Sequence, residues 1–72
     1  MSMRWRGQPV ATRPEGGKQH VIFSEPEPSG RYFLVRAACG KKLRAKLSFG
    51  QPTCPICLAE AEAHPELVWK GN

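Results

Sequence analysis

Two short apolar runs stand out along the chain, His20-Val-Ile-Phe-Ser24 and Arg31-Tyr-Phe-Leu-Val-Arg-Ala-Ala38, separated by Glu-Pro-Glu-Pro-Ser-Gly over residues 25–30. Apolar runs of this length, bounded by Gly and Pro, read as strands. The two prolines and Ser-Gly read as the turn between them. The pattern therefore predicts a β-hairpin of 20–24 with 31–38, after which Cys39-Gly40 turns the chain. Residues 41–49, Lys-Lys-Leu-Arg-Ala-Lys-Leu-Ser-Phe, fit two templates. Leu43 and Leu47 stand four apart, as on a helix face. Leu43, Ala45, Leu47 and Phe49 also alternate strictly, as on a half-buried strand. Gly40 on one side and Gly50-Gln51-Pro52 on the other favour the strand. Pro55 then suits the first position of a helix capped by Cys54. That helix is expected to end near His64, because Pro65 disfavours helical backbone in the residue before it. Cys54, Leu58 and Ala61 recur at i, i+4 and i+7, one stripe for a ligand and core contacts. Leu67 or Trp69 is expected to pack over the site. Residues 1–18, rich in Arg, Gly and Pro, read as a basic irregular arm, and 19–72 as a single domain.

Length makes this pattern fragile. The chain has 72 residues, with seven Gly and seven Pro among them. Below roughly 70–80 residues a core alone seldom supplies more than about 3–5 kcal/mol, so a staple is expected. No apolar run approaches the ~20 residues of a membrane span. The N-terminal stretch has no apolar segment of the signal-peptide kind, which predicts a cytoplasmic location.

The staple must come from cysteine chemistry. There are three cysteines, an odd number that fits a disulfide framework poorly, and the expected compartment is reducing. Cys54-Pro-Ile-Cys57 at a helix start has an acceptable spacing for a redox dithiol. That chemistry, however, sits after a strand in a βαβ unit of a larger domain, and only 15 residues follow Cys57. A metal site is the stronger reading. Cys39 is followed at once by Gly40, and a zinc knuckle needs a residue there that tolerates a tight, often positive-φ turn. His20 opens an apolar run and is the natural fourth ligand, in the pattern His20-x18-Cys39-x14-Cys54-x2-Cys57. One imidazole and three thiolates make a closed tetrahedral set of the structural zinc type. Both helix-borne thiolates would meet the positive helix end, which favours ionisation and metal binding. His64 competes with His20, but two helical turns separate it from the thiolates, roughly 10 Å at ~1.5 Å per residue. A helix C-terminus suits it as a macrodipole partner instead.

His-Val-Ile-Phe, Ala-Ala-Cys-Gly-Lys-Lys-Leu and Gln-Pro-Thr-Cys-Pro-Ile-Cys-Leu-Ala-Glu-Ala together resemble the small one-histidine-three-cysteine zinc fingers of actinobacteria and their mobile elements. Those proteins also carry a Trp near the N-terminus, as Trp5 does here. The resemblance spans roughly residues 3–64 and implies zinc on His20, Cys39, Cys54 and Cys57. It also implies a regulatory or nucleic-acid-binding role. The fold expected is a small α+β zinc-stabilised domain: a β-hairpin, a further short strand, a zinc knuckle and one C-terminal helix, treble-clef-like or zinc-ribbon-like. The basic segment after Cys39 departs from the family pattern.

That segment directs the functional reading. Lys plus Arg number 11 against six Glu and no Asp, a net charge of +5. One zinc with three thiolates contributes −1 and leaves the chain near +4. Arg36, Lys41, Lys42, Arg44 and Lys46 fall within 11 residues with no acid among them. On a strand, Lys42, Arg44 and Lys46 share a face about 7 Å apart, near the spacing of successive phosphates. Arg4, Arg6 and Arg13 add to this, and Trp5 between two arginines can stack on a base. The acids group in the turn (Glu25, Glu27) and on the helix (Glu60, Glu62, Glu66). This predicts a DNA-binding or transcription-associated factor held by phosphates, without a recognition helix. The alternative is a protein–protein interaction module, with an exposed hairpin edge at 32–36 and Trp5 and Trp69 as anchors. Ser2, Ser24, Ser29 and Ser48 have no paired base, and the metal set has no open position, so no enzyme activity and no small-molecule substrate are expected.

Overall fold

The computed structural model describes residues 8–71. It is a small α+β fold: a five-stranded antiparallel sheet with one helix. The strands are β1 (Pro9–Thr12), β2 (His20–Val21), β3 (Glu27–Ser29), β4 (Tyr32–Arg36) and β5 (Lys42–Phe49), in the spatial order β2-β1-β5-β4-β3. Helix α1 (Pro55–Ala63) follows, then a single 3-10 turn at Pro65–Leu67.

The ambiguous 41–49 segment is the long strand β5. Leu43 and Ala45 are buried while Lys42, Arg44 and Lys46 are exposed, the alternation of a strand with one face on the core. Its N-terminal half pairs with β4, Leu43 opposite Val35, and its C-terminal half with β1, Leu47 opposite Ala11. β5 thus joins two half-sheets.

Three expectations are corrected. Residues 9–12, read as part of an irregular arm, form β1, which is hydrogen-bonded on both sides, by β2 and β5. Val10 and Ala11 are fully buried there. Second, the hairpin partner of β4 is β3, which lies inside the stretch read as a turn. Ser29 pairs with Tyr32 around Gly30-Arg31, and Gly30 at φ 64 supplies the first position of a type II′ two-residue loop. Strand β2 meets β4 only past its end. Ile22 bridges Ala37, the Phe23 N–H donates to the Arg36 carbonyl (2.9 Å), and the Ala38 N–H donates to that of Val21 (2.9 Å). Third, β4 is an interior strand, so residues 32–36 offer no free edge. The edge on that side is β3, three residues long with Pro28 at its centre, a poor template for added strands.

The core gathers Val10, Val21, Ile22, Val35, Leu43, Ala45 and Ala61 with Cys54, Cys57 and Val68. Ile22, Val10 and Val21 are its largest fully buried side chains. Trp69 packs against this core, and its backbone N–H donates to the Ile22 carbonyl at 2.8 Å, while Leu67 stays exposed. Among the described residues no helix is long and apolar enough to cross a membrane.

Candidate metal centre

Three separate pieces of chain deliver the four candidate ligand side chains. His20 opens β2. Cys39 stands in the loop from β4 to β5, where the Ala37 N–H donates to the Lys41 carbonyl (2.8 Å) and the Gly40 N–H to that of Ala37 (2.9 Å). Gly40 takes φ 96 to close that loop, a conformation that side chains disfavour. Cys54 is the N-cap of α1, with Pro55 in the first turn and the Leu58 N–H donating to the Cys54 carbonyl at 3.0 Å. Cys57 lies one turn on and is fully buried.

Gln19 ties the two halves together. Its carbonyl accepts from the N–H groups of Thr53 (2.9 Å) and Cys54 (3.2 Å), and its own N–H donates to the Thr53 hydroxyl (2.9 Å). The residue before His20 is thereby locked to the residue before Cys54. Neither Gln19 nor Thr53 carries a sequence signal for this role; the pairing exists only between distant segments.

The ligand atoms of His20, Cys39, Cys54 and Cys57 all lie within 4.8 Å of one another, so the four can hold a metal ion. His20 Nδ1 is 3.4 Å from Cys57 Sγ and 3.9 Å from Cys39 Sγ. For zinc bonds of ~2.0–2.1 Å to nitrogen and ~2.3 Å to sulfur, a regular tetrahedron has N···S edges of about 3.6 Å. The two distances straddle that value. The donor set and these two distances suit a tetrahedral metal.

The surroundings act differently on the two helix thiols. Burial pushes the Cys57 thiol up to about 12, even though the N–H groups of Cys39 and Val21 point at its sulfur. Burial also opposes ionisation of Cys54, but the N–H groups of Cys57 and Ile56, with the neighbouring thiols, outweigh it and hold its pKa below the ordinary value. Donors of this kind are the knuckle arrangement that stabilises metal-bound thiolates. Burial lowers the pKa of His20, and Arg13, Lys41 and Lys18 lower it further, which favours the neutral imidazole a metal needs. The same cations balance the net negative charge that three thiolates and a divalent ion would carry. Arg13 belongs to the expected arm and Lys18 has no role legible in the sequence; the fold brings both beside His20.

His64 is elsewhere. It is the C-cap of α1, its side chain is half exposed, and its Nδ1 lies 3.6 Å from a Glu66 carboxylate oxygen. Of the predicted nucleic-acid contacts, Arg36, Lys41, Lys42, Arg44 and Lys46 are all exposed, on β4, β5 and the loop between them. Arg4, Trp5 and Arg6 lie outside the described residues. Arg36 and Lys42 are direct cross-strand partners, and Glu25 and Glu27 line the hollow beside them. The separation of acidic and basic sides expected from sequence is therefore incomplete at that end of the sheet.

Comparison with protein-family models, with curated proteins and with solved structures found no match to this chain. The likeness to one-histidine-three-cysteine fingers accordingly rests on the motif residues alone.

Proposed function

We propose that this chain is a structural zinc-binding module that presents a basic face to the phosphate backbone of nucleic acid. The observation that carries the metal half is the convergence of one imidazole and three thiols within 4.8 Å. Soft thiolates select zinc over magnesium or calcium. Four protein ligands make a closed set with no position for a reacting water, so the ion is structural and the chain is not an enzyme. The Cys39-Gly40 knuckle and the cysteine pair at a helix start support a treble-clef-like or zinc-ribbon-like centre, in keeping with the actinobacterial fingers. Thiolate-bound zinc suits a reducing compartment such as the cytoplasm.

The nucleic-acid half is supported by β5, whose exposed positions Lys42, Arg44 and Lys46 repeat about every 7 Å. Helix α1 exposes Glu60 and Glu62 and is unsuited to a DNA groove. Binding through phosphates, in a DNA-binding or transcription-associated regulatory role, follows from that surface.

Native mass spectrometry and a salt titration test the two halves. One zinc per chain, weakened by His20→Ala and untouched by His64→Ala, is expected. A metal-free mass with a Cys54–Cys57 disulfide overturns the zinc reading. DNA affinity that falls steeply with salt is expected; the absence of DNA and RNA binding at low salt overturns the second half.

A second reading, a protein-interaction module, is favoured by one feature. Pro9, Leu47, Phe49 and Trp69 line an apolar hollow of about 250 Å³, and Phe49 is 75 % exposed beside it. A partner retained after nuclease treatment, with little salt dependence, marks that reading.

A further inference from the structure

Two open hollows meet at Arg13 and Glu15, and one of them reaches His20 of the candidate metal centre. One, of about 250 Å³, is lined by Arg13, Lys18, His20 and Lys41. The other, of about 380 Å³, is lined by Arg13, Tyr32, Lys42 and Arg44. Five cations face this track against the single carboxylate of Glu15. At the Arg36 end of the sheet, by contrast, Glu25 and Glu27 line the hollow that holds Arg36 and Lys42. Positive potential is therefore concentrated on the Arg13 side.

The track also holds an aromatic ring. Tyr32 is half-buried, and the Arg44 guanidinium lies over it, 5.4 Å from the ring centroid, within the range of a cation–π contact. Duplex DNA keeps its base faces stacked inside, so a duplex cannot use such a ring. A single strand exposes those faces, and proteins that hold one combine a cationic groove with aromatic and guanidinium stacking surfaces.

We infer that the track from His20 through Arg13 to Tyr32 holds single-stranded nucleic acid: Arg13, Lys18 and Lys41 take phosphates beside the metal centre, and Tyr32 with Arg44 receives a base. The inference rests on the phosphate-binding reading above and narrows it to one strand and one side of the sheet. Arg13 becomes a central contact, and Arg36 a peripheral one.

The test is fluorescence anisotropy on the zinc-loaded full chain, with a labelled oligothymidylate and a labelled DNA duplex of equal length as probes. The single strand is expected to bind more tightly. Tyr32→Leu keeps the apolar bulk and removes the π face; it should weaken oligothymidylate binding roughly five- to hundredfold and leave duplex binding unchanged. Tyr32→Phe should bind like the parent. Arg13→Ala should lower the salt slope for the single strand by about 0.7, one phosphate contact, and Arg36→Ala should leave it unaltered. Zinc content of each variant by native mass confirms that it is folded. Equal affinity for both probes, with Tyr32→Leu changing neither, overturns the single-strand track while phosphate binding stands. Failure to bind either probe at low salt overturns both readings.

Discussion

Removing the proposed zinc should melt helix α1, because most of the helix's buried side chains are the candidate ligands Cys54 and Cys57. Its fully buried residues are Cys57 and Ala61, and its buried N-cap is Cys54. With the two cysteines reduced to small thiols, the apolar anchors left are the Ala61 methyl and part of Leu58. At about 0.8 kcal/mol per buried methyl or methylene, Ala61 and the covered part of Leu58 supply on the order of 2 kcal/mol. Helix α1 has nine residues, and isolated helices shorter than ~12–15 residues are marginal in water even in good sequences. Ordering each residue costs roughly 1–2 kcal/mol of backbone entropy, which 2 kcal/mol of contact cannot offset. A structural zinc, at about 10–16 kcal/mol in finger peptides, can. It also exceeds the ~3–5 kcal/mol expected of a core this small, so the sheet should loosen with the helix. The assay is far-UV circular dichroism and thermal melting before and after a zinc chelator, followed by re-addition of zinc. We expect the helical signal to vanish, the cooperative melt to flatten, and both to return with stoichiometric zinc. An unchanged spectrum and melting curve in chelator would refute the reasoning, because the helix would then be held by contacts other than the ligands.

Two further outcomes follow from the same geometry. Zinc affinity should rise with pH: a thiol is largely protonated near neutrality, and burial raises Cys57 further, so binding must expel its proton. With metal the thiolates are held ionised, so the stabilisation by zinc is lost as pH falls; proton release in zinc calorimetry across buffers of different ionisation heat checks this, and no release would refute it. Separately, Gly40→Ala should cost about 1–3 kcal/mol in the zinc-bound form, measured by denaturant unfolding. Gly40 sits at φ 96, and a Cβ there would meet nothing within 4 Å, so the cost is backbone strain alone.

The residues of the candidate site were legible along the chain to an unusual degree. Cys54 before Pro55 states a helix start in local chemistry, and Cys39-Gly40 states a turn. The choice between His20 and His64 followed from helix length. The strand character of 41–49 was legible as well, since alternation and its Gly and Pro bounds are properties of nearby residues. These signals share a cause: each depends on covalent geometry or on side chains within a few positions of each other.

What lay beyond the sequence depended on pairings between distant segments. Pro9–Thr12 is too short and too mixed to declare itself a strand; it becomes one because β2 and β5 satisfy its backbone on both sides. The 25–30 stretch holds strand β3 because the turn closes at Gly30-Arg31, so β4 gains a partner where an open edge was expected. The Gln19 lock on Thr53, the approach of Arg13 and Lys18 to His20, and the track that joins Arg13 to Tyr32 likewise have no local signature. Sequence alone determined which side chains could bind a metal and how each is held in its own turn. Only the tertiary structure decided that the four come within 4.8 Å of one another, and which cations surround them, because hydrogen-bond pairing and burial across the sheet act between residues that the chain itself keeps far apart.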